Sequence, residues 1–260
     1  MKCFSSIATV GTTLVALGTV MACGNGALAD PLNDRPVSPL GDNGTEDTLQ
    51  EVLDSITESG KIDAVNDQKP FALFKNTSGS GLKGTLVAEI AGFDDINVFG
   101  LYSADDITNK APIFQGSNKP FDRVSLDFYN DGTVKMTGAT DPIGTGFNGA
   151  FGFYLDTPND IFYTEDSHNK NNDPQALVYQ GDNDTVLQIG NFQAGKFVDT
   201  EFIVAFEDKP FSSADKDFND MVVHVAGVEP VPEPMTILGS TLALGFGGLF
   251  KRQMSKRQKN

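Results

Sequence analysis

Apolar and polar residues change rhythm twice along this 260-residue chain. An uncharged stretch runs from Phe4 to Met21, with Lys2 before it and Ala27-Leu28-Ala29 behind it. A second apolar run, Met235 to Phe250, is followed by Lys251, Arg252, Lys256, Arg257 and Lys259. Between the two runs the periods are those of secondary structure. Leu49, Val52, Leu53 and Ile56 fall at i, i+3, i+4 and i+7, behind Thr45, Glu46 and Asp47 and ahead of Gly60. That spacing predicts one amphipathic helix of about three turns, laid as a lid on a sheet. From Phe71 the period becomes two. Strand-like runs follow at Phe71 to Lys75, Leu82 to Ile90, Asn97 to Tyr102, Ala111 to Phe114, Val124 to Tyr129 and Thr133 to Thr137. Others follow at Gly149 to Leu155, Ile161 to Thr164, Ala176 to Tyr179, Thr185 to Ile189, Glu201 to Phe206 and Met221 to Val225. Gly, Asn, Asp and Pro separate them, and Asn130-Asp131-Gly132 is a hairpin signal. Residues 46–226 therefore predict an all-β domain, an antiparallel β-sandwich of jelly-roll type with one short N-terminal helix.

The two apolar runs read as ends, outside the fold. Residues 1–29 predict a signal peptide for signal peptidase, cleaved after the A-x-A site at Ala27 and Ala29. Val20-Met21-Ala22-Cys23 offers a rival lipobox, in which Cys23 becomes a lipidated first residue. Cleavage after Ala29 removes both Cys3 and Cys23, and with them any disulfide. Residues 30–45, rich in Pro, Gly, Asn and Asp, read as a mobile leader, and 227–234 as a linker holding Pro232-Glu233-Pro234. The run from Met235 to Phe250 is short for a membrane span, which takes about 20 residues, and the basic residues behind it stay cytoplasmic. Segment 235–260 is thus a transmembrane segment with a basic tail, body outside and tail inside. Pro-Glu-Pro, apolar span and basic tail in this order closely resemble a PEP-CTERM sorting signal. The resemblance implies recognition by an exosortase in the inner membrane of a Gram-negative bacterium and cleavage near the motif. Delivery to the cell surface or an exopolysaccharide matrix would follow. A plain tail anchor behind a proline-rich segment is the alternative.

Charge narrows the partners. The chain carries a net −16, and with both ends set aside 13 basic and 35 acidic residues remain in 30–234, a net −22. Nucleic acid is excluded, because binding a polyphosphate needs a basic face. Anionic polymers are repelled unless cations intervene, so a divalent metal is the first partner to consider.

The acids are densest between the last two predicted strands. Glu207, Asp208, Asp215, Asp217 and Asp220 lie within one short stretch with Asn219 among them, opposed only by Lys209 and Lys216. If the flanking strands pair as a hairpin, these groups converge at one end of the sheet. Crowded carboxylates repel, and a hard dication taking six to eight oxygens at about 2.3 to 2.6 Å relieves them; calcium suits an extracellular site better than magnesium. The loop is not an EF-hand, since Asp220 stands where that motif needs Gly and Ala226 where it needs Glu. The plainer alternative is that the acids cap strand ends, bonding loop amides or facing water. Phe206-Glu207-Asp208, then Asp215-x-Asp217-Phe218-Asn219-Asp220 and a Val-rich strand, resembles the module catalogued as domain of unknown function 4114. The resemblance spans residues 145–226, including Phe151-Gly152-Phe153-Tyr154-Leu155. It implies a secreted bacterial protein and no established activity. It departs at Phe211-Ser212-Ser213, where a loop richer in Gly or Asp is expected.

A second acidic region holds Asp156, Asp160, Glu165, Asp166, Asp173, Asp182 and Asp184, with His168 among Asn169, Asn171 and Asn172. A lone loop histidine is more often a polar residue than a ligand. His224, between Val223 and Val225, is expected on the opposite sheet face from them. No H-E-x-x-H, G-x-S-x-G or phosphate-cradling glycine loop is present, so the chain reads as non-catalytic. A carbohydrate-binding module is the alternative, with Tyr102, Tyr129, Tyr154, Tyr163 and Tyr179 to stack on sugars in place of the absent Trp. A glycoside hydrolase comes third, because with 35 acids some pair always has a suitable separation.

Overall fold

A computed structural model describes residues 46–77, 82–89, 96–116 and 118–231, of which 82–89 are described in backbone alone. The expected signal peptide with Ala27 and Ala29, the leader at 30–45, the motif Pro232-Glu233-Pro234 and the segment 235–260 lie outside the described residues. Within them no helix is long and apolar enough to cross a membrane.

The chain opens with α1 (Leu49–Ser55) and β1 (Thr57–Ser59). Then come β2 (Phe74–Asn76), β3 (Leu82–Glu89), β4 (Val98–Ser103), β5 (Lys110–Gln115), β6 (Arg123–Phe128), β7 (Val134–Met136) and β8 (Pro142–Gly144). The second half holds β9 (Phe151–Asp156), β10 (Ile161–Tyr163), β11 (Ala176–Gln180), β12 (Val186–Leu187) and β13 (Gly195–Lys196). It closes with β14 (Glu201–Phe206), β15 (Met221–Ala226) and β16 (Val228–Pro230). A seven-stranded sheet runs β11-β14-β15-β3-β6-β7-β8; a six-stranded one runs β16-β2-β9-β4-β5 with β10 on β9; β1-β12-β13 form a third. The strands pair antiparallel throughout, and the fold is all-β with one α-helix among the described residues.

Alternation decides what each face buries. On β4 and β9, Phe99, Leu101, Phe151, Phe153 and Leu155 point into a core shared with Val204 and Phe206 of β14 and Val223 and Val225 of β15. Phe99 stacks on Phe153 at 5.5 Å and meets Phe206 edge-on at 6.1 Å, while Phe74 meets Phe202 at 5.1 Å. Such ring pairs add about 0.5 to 1.5 kcal/mol beyond their burial. The intervening positions Gly100, Tyr102, Gly152 and Tyr154 take the other face, and the register sets Gly100 across from Tyr154 and Gly152 across from Tyr102. Each tyrosine covers the glycine opposite; a Cβ on Gly152 would land on the Tyr102 phenol.

The seven-stranded sheet is buried on its second face too. Leu177, Tyr179, Ile203, Ala205 and Val222 there meet Leu49, Val52, Leu53 and Ile56 of α1, together with Leu187, Ile189 and Phe197. The helix is thus the expected lid. Thr48 caps it, accepting from Glu51 N at 3.2 Å while Thr48 N donates to Glu51 Oε2 at 2.8 Å. It is shorter than three turns: it ends at Ser55, because Thr57–Ser59 leave to pair with β12. The expected linker at 227–234 also differs, since Val228 is fully buried and β16 pairs with β2. Asn130-Asp131-Gly132 turns β6 into β7 as expected, with Gly132 at φ 79° and its amide donating to Tyr129 O at 3.0 Å.

Candidate metal centre

β14 and β15 are adjacent, in register from Glu201 opposite Ala226 to Phe206 opposite Met221. The loop between them therefore begins at Glu207 and ends at Asp220, carboxylates facing each other across the strand ends. Each bonds the opposite arm: Phe218 N donates to Glu207 Oε1 at 2.8 Å, and Asp208 N to Asp220 Oδ2 at 2.8 Å. Gln175 secures the outgoing arm, its Nε2 donating to Lys209 O at 2.8 Å and its carbonyl accepting from Glu207 N at 3.1 Å. On the returning arm Lys216 and Phe218 take φ of 66° and 54° on either side of Asp217. A left-handed conformation at a non-glycine residue costs on the order of 1 to 3 kcal/mol and persists only where its surroundings impose it. Here Phe218 is wholly buried in the core beneath α1.

Glu207, Asp208, Asp217 and Asn219 have 0% exposure and Asp220 has 7%. One carboxylate oxygen from each of Glu207, Asp217 and Asp220 lies within 4.8 Å of the others. Glu207 Oε2, Asp217 Oδ2, Asn219 Oδ1 and both oxygens of Asp208 are buried and accept no hydrogen bond. Ionised carboxylates can only accept, so these oxygens cannot satisfy one another. Burial first, and the neighbouring carboxylates second, push Glu207 up to about 8 and Asp220 up to about 9. Burial with Asp215 beside it lifts Asp217 to about 6, and burial raises Asp208 against the pull of Lys209. Lys216 supplies little relief, its ammonium lying 4.3 Å above the Phe211 ring.

Such a site stands only if protons or a cation balance it. Every donor is oxygen, with no thiolate or imidazole, and that chemistry suits a hard cation. Buried acids here can hold a metal ion. Of the six residues marked in the sequence, Glu207, Asp217 and Asp220 come together. Asp215 is exposed and joins Asp217 in a second trio whose third member is Glu46. Asp208 is buried but in neither trio, with Asn97 beside it. Asn219 Nδ2 donates to Asp47 O at 2.7 Å, leaving its Oδ1 without a partner. In the sequence Glu46 marks only the helix start; its acid pair with Asp47 is the one local signal, and nothing in the spacing brings it to Asp215, 169 residues away. The strand-cap alternative accounts for three carboxylate oxygens, those accepting from Phe218 N, from Asp208 N and, at 3.5 Å, from Asn219 N, and leaves the unpaired ones unexplained.

The second acidic region does not converge. Asp182 caps its own loop, accepting from Asp184 N at 2.9 Å and Thr185 N at 2.7 Å. His168 packs edge-on against Tyr102 and Tyr163, and Glu165 Oε2 takes the Tyr102 hydroxyl at 2.8 Å with His168 Nε2 at 3.3 Å. His224 does lie on the face opposite Val223 and Val225, 3.4 Å from Glu201 Oε2. The tyrosine platform is corrected: Tyr102 and Tyr154 are buried over glycines, Tyr179 is buried with its hydroxyl donating to Ala64 O, Tyr163 is buried against Tyr102 and His168, and only Tyr129 is exposed. No family model, curated protein or solved structure matches this chain.

Proposed function

We propose that this chain is an exported, non-catalytic protein of the bacterial cell surface or exopolysaccharide matrix, a jelly-roll-like β-sandwich whose 207–220 loop is closed by calcium. The observation that carries the reading is the set of buried, acceptor-only oxygens on Glu207, Asp208, Asp217 and Asn219 at the end of the β14–β15 hairpin. Calcium is favoured over magnesium because it accepts an irregular, largely protein-made oxygen cage, whereas magnesium keeps several of its waters. Two large sheets sharing one aromatic core support the sandwich. Export rests on the sequence: the A-x-A site at Ala27 and Ala29, and Pro232-Glu233-Pro234 before an apolar run and basic tail, as in proteins sorted by an exosortase. The likeness to domain of unknown function 4114 agrees with that address. Burial of four tyrosines argues against a sugar-stacking face.

Thermal unfolding of the purified chain in millimolar calcium and in chelator tests the reading. At one hundred times its dissociation constant, an ion bound only by the folded state adds about 2.7 kcal/mol. For a domain of this size that raises Tm by about 5 to 10 °C. The shift is expected to vanish in Asp217→Ala/Asp220→Ala; a native chain that melts alike in both buffers would sink the proposal.

A further inference from the structure

The loop acids form two groups that share one residue. Oxygens of Glu207, Asp217 and Asp220 lie within 4.8 Å of one another, and so do oxygens of Glu46, Asp215 and Asp217. Two ligands on opposite sides of one calcium, each at about 2.4 Å, stand about 4.8 Å apart, so each trio fits within one coordination sphere. Asp217 belongs to both, and a carboxylate has two oxygens with which to ligate two ions at once. Its side chain is wholly buried, and its Oδ2 accepts no hydrogen bond, which points to a ligand beyond the protein. Charge agrees: one dication leaves these five carboxylates at −3, and two leave them at −1.

We infer that the loop takes two divalent cations bridged by Asp217, an inner one on Glu207 and Asp220 and an outer one on Glu46 and Asp215. This rests on the calcium reading above and adds a second site to it. The two sites differ in access. The inner trio is buried throughout, whereas the outer one combines buried Asp217 with half-buried Glu46 and exposed Asp215. The outer ion is therefore the weaker and the faster to exchange. Its effect reaches furthest along the chain, because Glu46 lies just before the cap residue Thr48 of α1. An ion there ties the entry of the helix to the β14–β15 loop, reinforcing the bond from Asn219 Nδ2 to Asp47 O.

Calcium titration of the full chain by calorimetry, with the stoichiometry counted by native mass spectrometry, tests this. Two ions per chain are expected, bound in a tight and a weaker phase. E46Q/D215N leaves the Thr48–Glu51 cap and the inner trio intact, and is expected to lose the weaker phase while keeping the tight one and its Tm shift. D217N is expected to weaken both. One ion in the unaltered chain, two retained by E46Q/D215N, or a D217N chain in which either phase keeps its native affinity overturns the bridged pair. No calcium bound by the unaltered chain overturns instead the reading on which it rests.

Discussion

With no cation in the 207–220 loop, this protein is expected to become less stable as the pH rises from 5 to 8.5. Glu207 titrates near 4.5 when exposed and near 8 in the folded loop, and Asp220 moves from 3.8 to about 9. Between those limits the folded state holds protons that the unfolded state has lost, so stability is full below the unfolded pKa and falls as pH climbs toward the folded one. One carboxyl raised from 4.5 to about 8 corresponds to about 5 kcal/mol at 1.36 kcal/mol per unit. That is a large part of the roughly 5 to 15 kcal/mol that holds a domain folded. Thermal melts followed by circular dichroism in chelator at pH 5, 7 and 8.5 are expected to show Tm falling by on the order of 10 °C or more. Acids with lowered pKa values, among them Asp106, Asp122, Asp131 and Asp182, lose their contribution only below the ordinary carboxylate range, outside this window. In millimolar calcium the slope is expected to flatten or invert, because the ion binds the deprotonated cluster and competes with protons at low pH. A Tm in chelator that holds level or climbs between pH 5 and 8.5 would refute the argument that these carboxylates are buried and uncompensated.

Two further changes probe the scaffold. Thr48→Ala removes the hydroxyl that accepts from Glu51 N and should lower stability by about 1 kcal/mol, a Tm decrease of about 2 to 4 °C. Equal Tm values would show that packing of α1 on the seven-stranded sheet alone fixes the helix. Gly152→Ala drives a methyl into the Tyr102 ring and strains its bond to Glu165, with an expected loss of about 1 to 3 kcal/mol. Adding Tyr102→Ala empties the space, so a double-mutant cycle on Tm should show strong coupling between the two positions, and purely additive losses would contradict the packing described.

The features legible in the sequence were those whose causes are local. Alternation located the core strands because buried Phe and Val recur at every second position of β4, β9, β14 and β15. The acids of the 207–220 loop were legible for a similar reason, since a hairpin brings its own two ends together without reference to the rest of the chain. Short strands such as Pro142–Gly144 and Gly195–Lys196 were not, because two or three residues carry no period and their pairing is decided by neighbours far along the chain. The burial of Tyr102 and Tyr154 is not legible, because an aromatic residue at an outer position of a strand looks exposed until the glycine across from it is known. Glu46 escaped for the same kind of reason. Its group forms only once α1 has docked on the second face of the seven-stranded sheet and Asn219 has bonded Asp47 O.

Burial is the property that changes the meaning of the acid cluster, and composition does not reveal it. Five carboxylates in an exposed loop would repel weakly through water and salt, and their Coulomb interaction at about 4 Å would be about 1 kcal/mol per pair. Four of the five, Glu207, Asp208, Asp217 and Asp220, are instead buried, lose hydration and gain no donors for several of their oxygens. A loop that buried such charge with nothing to offset it would open. The left-handed turns at Lys216 and Phe218, which hold Asp217 inward, add strain that points the same way. Strain and desolvation together are what a segment that folds around a cation would show, and capping of strand ends alone accounts for neither.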